Sequence, residues 1–128
     1  MSYNVKKGTL RGMHYQREPH AEAKLVRCIR GSVYDVMVDL RPGSPTFLGW
    51  HGEELTADNH RALYIPRGFA HGYLTLTDHA EVFYQLSAEY VASAGAGVRY
   101  DDSAFGIRWP GPAVVINDRD RTYPDFQR

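Results

Sequence analysis

Cysteine is almost missing from this chain of 128 residues. Cys28 stands alone, so no disulfide can close within the chain and a cysteine-built zinc site is excluded. Net charge is missing too, because 15 basic and 15 acidic residues cancel. That balance gives no electrostatic case for nucleic acid or an anionic membrane as partner, although a local basic cluster could still hold one diphosphate. No apolar run approaches a membrane span, and residues 1–10 lack an apolar stretch long enough for a signal peptide. The expected location is the cytoplasm. Repeats, low-complexity tracts and linkers are also lacking. The expectation is one domain over residues 1–128, large enough for one core and too small for two.

What is present is strand signal. Residues 10–16 read as a strand with Gly12, His14 and Gln16 on one face. A second strand is expected at 24–29, ended by Arg30-Gly31. Residues 33–40 alternate, with Val33, Asp35, Met37 and Asp39 on one face and Tyr34, Val36, Val38 and Leu40 on the other. Pro42-Gly43-Ser44-Pro45 is a turn. Further strands are expected at 47–55, 62–65, 69–76 and 80–86. Short helical pieces are expected around 57–60, around 87–92 and after Asp101. Many short strands with Gly/Pro turns argue for an all-β sandwich or barrel.

Several residues in this pattern carry chemistry. His14 lies in an apolar strand, where its neutral imidazole is either a proton acceptor near pH 7 or a core histidine bonded to a neighbouring carbonyl. Lys24 opens the apolar run Leu25-Val26, and either snorkels from a strand end or points into a polar cavity. Asp35 and Asp39 are cavity-wall carboxylates if their face turns inward, and ordinary surface charges if it does not. The inward reading is preferred, because His14 and Lys24 need a polar lumen. Tyr84 and Tyr90 are proton donors in a pocket or aromatic packing. Ile116-Asn117-Asp118-Arg119-Asp120 offers acids after an apolar run. A buried aspartate there would orient His14 and stabilise its protonated form; the alternative is a polar tail. His20, His51, His60 and His79 fall in turns or polar contexts and read as surface residues.

Two resemblances sharpen this picture. The spacing Pro66-x-Gly68-x-x-His71 resembles the second motif of the cupin superfamily, which implies a double-stranded β-helix, or jelly roll. Metal cupins carry a His-x-His pair and a glutamate in their first motif. Here His14-x-Gln16 leads to Lys24, whose ammonium repels a cation, so no metal is expected. The runs Gly8-Thr9-Leu10-Arg11-Gly12-Met13-His14-Tyr15-Gln16, Lys24-Leu25-Val26-Arg27, Gly68-Phe69-Ala70-His71-Gly72 and Phe105-Gly106-Ile107-Arg108-Trp109-Pro110 resemble the dTDP-4-dehydrorhamnose 3,5-epimerase family in order and register. The resemblance spans about Lys7 to Asp125.

The resemblance implies a cofactor-free isomerase acting on a dTDP-4-keto-6-deoxyhexose. By it, His14 is the general base, Asp120 its supporting acid, Lys24 the stabiliser of the enolate oxygen and Tyr84 the general acid. Arg11, Gln16, Asp35, His71 and Tyr90 would contact substrate. A homodimer is implied as well. Two departures stand out. The family carries a substantial segment before the position of Gly8, with strands exchanged across the dimer and nucleotide contacts. This chain is therefore either a shortened homologue or one begun at an internal methionine, and lack of that segment would expose a sheet edge and weaken nucleotide recognition. Tyr84-Gln85-Leu86-Ser87 also differs from the Tyr-Lys of many members, which suggests a different substrate or number of inverted carbons. A competing reading is a nucleotide-sugar-binding cupin that has lost catalysis; a metal-dependent oxygenase is disfavoured for want of ligands.

Overall fold

Among residues 1–127, which the computed structural model describes, nine strands form two antiparallel sheets. One sheet has the order β1 (Ser2–Asn4), β8 (Ala80–Leu86), β3 (Lys24–Arg30), β6 (Ala62–Ile65). The other runs β5 (Trp50–Thr56), β4 (Ser32–Asp39), β7 (Phe69–Thr75), β2 (Leu10–Gln16), β9 (Gly95–Gly97). The sheets share a core of Val26, Cys28, Val33, Leu55, Ile65 and Val82.

A second apolar cluster explains why β4 has no solvent face. Val36 and Val38 of β4 pack with Met13, Ala70, Val98 and Phe105. The C-terminal segment thus lies over the five-stranded sheet as a third layer, with Phe126 against Phe105. Both faces of the alternating 33–40 run are therefore occupied: one faces the other sheet, and one faces this cover.

Strand β2 departs from strict alternation. Arg11 pairs with Tyr73 and His14 with His71, so Gly12 and Met13 together oppose only Gly72. This is a bulge, which puts one extra residue into the strand. Its effect is to bring Arg11 onto the cavity side with His14, while Met13 turns into the second apolar cluster. Gly12 has φ +123°, a conformation open to glycine, and a Cβ there would lie 2.6 Å from Gly72 Cα.

The expected helices shift. Residues 57–60 form a turn, not a helix. Thr56 and Asn59 exchange side-chain and backbone bonds, with the Thr56 N–H donating to Asn59 Oδ1 (3.1 Å) and the Asn59 N–H to Thr56 Oγ1 (2.8 Å). Such local bonds compete with helix formation. After Asp101 the chain also turns, because the Asp102 carboxylate accepts from the backbone of Ala104 and of Phe126. The helical pieces are a 3-10 turn at Ala92–Ala94 and α1 (Asp118–Arg121). Strands β1 and β9 are three residues each and carry little strand signal of their own; pairing with β8 and β2 creates them.

The close approach of β2 and β7 makes a test. A Cβ on Gly72 would fall 2.6 Å from the Arg11 carbonyl oxygen and 2.7 Å from Met13 Sδ. Gly72→Ala should cost about 1–3 kcal/mol of stability, read as a lower urea midpoint. An unchanged midpoint would show that the two strands part freely.

Candidate active site

Between the two sheets opens a cavity of about 420 Å³. Its walls come from both sheets. β2 and β7 contribute Arg11, His14 and His71, while β3 and β8 contribute Lys24 and Tyr84. Tyr90, from the segment after β8, and Arg119, on α1 (Asp118–Arg121), also line it.

His14 is held from behind. Its Nε2 lies 2.6 Å from Asp120 Oδ1. Asp120 is fully buried, which opposes its ionisation. Hydrogen bonds from His14 and the Gly12 N–H, with the charges of His14 and Arg119, outweigh that cost and hold its carboxyl below the usual carboxylate range. An ionised carboxylate only accepts, so Nε2 carries the proton and donates it. In the neutral ring Nδ1 is then the acceptor, and it has no hydrogen-bond partner among the described residues.

The four-residue helix α1 presents this aspartate. Asn117 caps it: its Oδ1 accepts from the Asp120 N–H (2.8 Å), and its Nδ2 donates to Asp120 Oδ2 (3.2 Å). Asp118, the other candidate in this run, is exposed and pairs with Arg121. The tail is thus largely polar surface, with one buried acid.

A second imidazole–carboxylate pair sits beside the first. His71 Nε2 lies 2.7 Å from Asp35 Oδ1, and His71 is directly opposite His14 in the β2–β7 ladder. Asp35 has no exposed surface and is absent from the cavity wall. The expectation that it contacts a ligand directly is corrected: it stands behind His71 and orients it. Lys24 does point into the cavity, with its side chain 14% exposed. Burial pushes its ammonium down from the usual lysine range, and the charges of Glu22 and Asp35 push back.

Two further expectations are revised. Asp39 lies outside the cavity. Its carboxylate accepts from the Arg41 guanidinium (2.9 Å), Ser44 Oγ and Thr46 Oγ1 (2.6 Å each), and so pins the 41–46 turn. Those bonds, the one from Arg41 foremost, hold its pKa far below the ordinary carboxylate range. Gln16 lines the cavity, but its amide is already engaged with backbone. It donates to the carbonyls of His20 (2.8 Å) and Glu89 (3.2 Å) and accepts from the Val91 N–H (2.7 Å). Gln16 thereby grips both neighbours of Tyr90. His20, His51, His60 and His79 are exposed, as expected.

One lining residue escapes the sequence reading. Glu22 faces the cavity two residues before Lys24, with its side chain 7% exposed. The signal is there, since residues two apart in extended chain share a face.

The site has no evident metal set: no three His, Cys, Asp or Glu side chains among the described residues are grouped to hold an ion. None of the described helices is long and apolar enough to cross a membrane.

Comparison with known proteins points one way. Residues 1–128 match the sequence profile of the family described as dTDP-4-dehydrorhamnose 3,5-epimerase. The curated protein of that name from Shigella flexneri is 47% identical over 114 residues, covering 89% of this chain and 63% of its own length. A crystal structure of the Bacillus anthracis protein of that name, with TDP and PPi bound, superposes with a TM-score of 0.94 at 45% identity, over 98% of this chain and 71% of the other. A Legionella pneumophila 3,5-epimerase in complex with dTDP-4-keto-L-rhamnose superposes with a TM-score of 0.86 at 39% identity, over 94% and 65%. The chain spans less than two thirds of the length of the curated relatives it matches first.

The Asp39 network gives a test with a definite sign. A depressed folded pKa contributes stability that is complete above the unfolded carboxyl value of about 3.9 and is lost as pH falls toward the folded value. Asp39→Asn should lower the urea midpoint at pH 7 and flatten the decline between about pH 5 and pH 2. An equally steep acid decline in the variant would assign that sensitivity to other carboxylates.

Proposed function

Because the chain belongs to the dTDP-4-dehydrorhamnose 3,5-epimerase family, we propose that it is an epimerase inverting C3, C5 or both of a dTDP-4-keto-6-deoxyhexose. The reaction runs by proton abstraction and return through an enolate, without cofactor or metal. It belongs to dTDP-rhamnose or related deoxysugar biosynthesis, O-antigen precursors included. One observation carries the reading. His14 stands on one sheet, backed by Asp120 of α1, and Tyr84 and Lys24 stand on the facing sheet, with the cavity between them.

The chemistry follows from that placement. The C4 ketone acidifies the protons on C3 and C5. His14 Nδ1, unpartnered among the described residues, takes one of them, and Asp120 stabilises the imidazolium that forms. Negative charge moves to the C4 oxygen, where the Lys24 ammonium meets it. Inversion requires the proton to return on the opposite face, and the hydroxyl of Tyr84, a residue 36% exposed on the opposite sheet, is the donor. Arg11, His71 and Tyr90 contact the sugar nucleotide, and Gln16 and Asp35 hold Tyr90 and His71 in place.

The two facing sheets support a cupin-type jelly roll forming one domain, and its proposed location is the cytoplasm. A homodimer fits the outer face of the four-stranded sheet, where Leu25, Tyr64 and Phe83 are exposed on three neighbouring strands. Light scattering should give twice the chain mass; a monomer at every concentration would overturn the assembly.

Deuterium uptake at C3 and C5 of a dTDP-4-keto-6-deoxy sugar in heavy water tests the activity. His14→Ala should abolish exchange at both carbons. Lys24→Ala should lose about a hundred- to a thousandfold in rate. Tyr84→Phe keeps the ring and loses the proton, so it should bind sugar nucleotide, exchange slowly and fail to invert. Binding of sugar nucleotide by the unmodified chain without exchange at either carbon would favour a binding cupin over an enzyme.

A further inference from the structure

The cavity holds one carboxyl group that the mechanism above does not use. Glu22 sits just before β3, and its backbone neighbour Ala23 is clamped on both sides. The Ala23 N–H donates to Ser87 Oγ (2.8 Å), and the Ser87 N–H donates to the Ala23 carbonyl (3.0 Å). Ala21 and Ala23 are buried on one side of this segment, so Glu22 and Lys24 turn to the other, into the cavity. Glu22 Oε1 lies 3.8 Å from Lys24 Nζ. Glu22 Oε2 is buried and has no hydrogen-bond partner among the described residues. A carboxyl in that position is costly, and a carboxylate there is tolerated only beside a compensating charge.

We propose that Glu22 is a positioning residue, whose buried carboxylate keeps the Lys24 ammonium charged and aimed into the cavity. The inference rests on the epimerase reading for its consequence, but not for its test. Burial pushes the Glu22 carboxyl up and the Lys24 ammonium down; for each, the strongest opposing influence is the other's charge. The other charged or titratable groups lining the cavity with Lys24 are Arg11, His14 and Tyr15 on β2, His71 and Tyr73 on β7, Tyr84 on β8, Tyr90 beyond it and Arg119 on α1, with Asp35 on β4 acting from behind His71. Among them Asp35 is the other anion acting on Lys24, and its Oδ1 is bonded to His71. Glu22 is therefore the group whose charge most directly answers that of the lysine. Without it, burial is less opposed. Lys24 then loses its proton at lower pH, and stabilisation of the enolate ends earlier on the alkaline side.

The test reads Lys24 directly. The lysines of the chain are Lys6, Lys7 and Lys24, and the first two are exposed. Protein carrying 13Cε-lysine gives resolved signals, with that of Lys24 identified by its loss in Lys24→Arg. In Glu22→Gln the Lys24 titration should fall by roughly one to three pH units, the range expected for an opposite charge at this distance. Glu22→Asp keeps the charge and should restore most of the difference. The alkaline limb of the exchange rate should follow the same order. The unmodified protein offers a check that needs no variant: the Lys24 signal should register a second, acidic inflection as Glu22 takes up its proton. A Lys24 titration equal in the unmodified protein and Glu22→Gln, or no acidic inflection, overturns the inference. A Lys24 titration that falls as stated, with no exchange activity in any form of the protein, upholds the inference and removes the epimerase reading.

Discussion

A charge taken out of water must find a partner or be given up, and this constraint organises the interior of the chain. In and behind the cavity walls the carboxyl groups, imidazoles and ammonium stand in pairs: His14 with Asp120, His71 with Asp35, Lys24 with Glu22. The two imidazole pairs join separate elements, and the third joins a strand to the segment that leads into it. The cavity is therefore polar without being unstable, and its proton-carrying groups are held in fixed orientations. Removing one member of such a pair leaves the other as an uncompensated buried charge, so the chemistry of the site and the stability of its walls are tied together.

The architecture around the cavity follows from what each sheet must cover. The four-stranded sheet turns Val26 and Val82 inward and leaves Leu25, Tyr64 and Phe83 outside. The five-stranded sheet is covered on both faces: its near side joins the shared core and the polar cavity wall, and its far side is closed by the C-terminal segment through Phe105, Trp109 and Phe126. That cover does more than pack. It carries the chain past the edge of the sheet to Asn117 and Asp120, and so delivers the aspartate behind His14. Packing and the placement of the buried acid share one stretch of chain here.

The strands are legible in the sequence because they obey a period of two with clear turn residues between them. Residues 10–16, 62–65 and 80–86 read from the sequence match the observed strands in both limits. The helical pieces are not legible. Residues 57–60 have helix-compatible composition, yet the side-chain bonds of Thr56 and Asn59 to backbone decide their shape. Strands β1 and β9 are invisible for the opposite reason, since Gly95-Ala96-Gly97 has no strand preference and exists as a strand only against β2. Among site residues, His14, Lys24, Tyr84 and Asp120 are readable from type, spacing and family likeness. Glu22 escapes that reading although its spacing from Lys24 points to the same face.

By itself the sequence determined the β-rich class, the apolar and polar faces, the family and the residue types that can move protons, because these depend on local pattern and side-chain chemistry. Only the tertiary structure decided which of those groups meet. Asp35 and Asp39 share a strand face four residues apart, yet one orients an imidazole in the cavity and the other pins a turn outside it. The bulge at Gly12 and Met13 sets Arg11 beside His14, against the alternation of an ideal strand. Asp120 reaches a residue 106 positions earlier in the chain. Pairings of this kind are set by register between strands and by the path of the cover, neither of which any local stretch of sequence encodes.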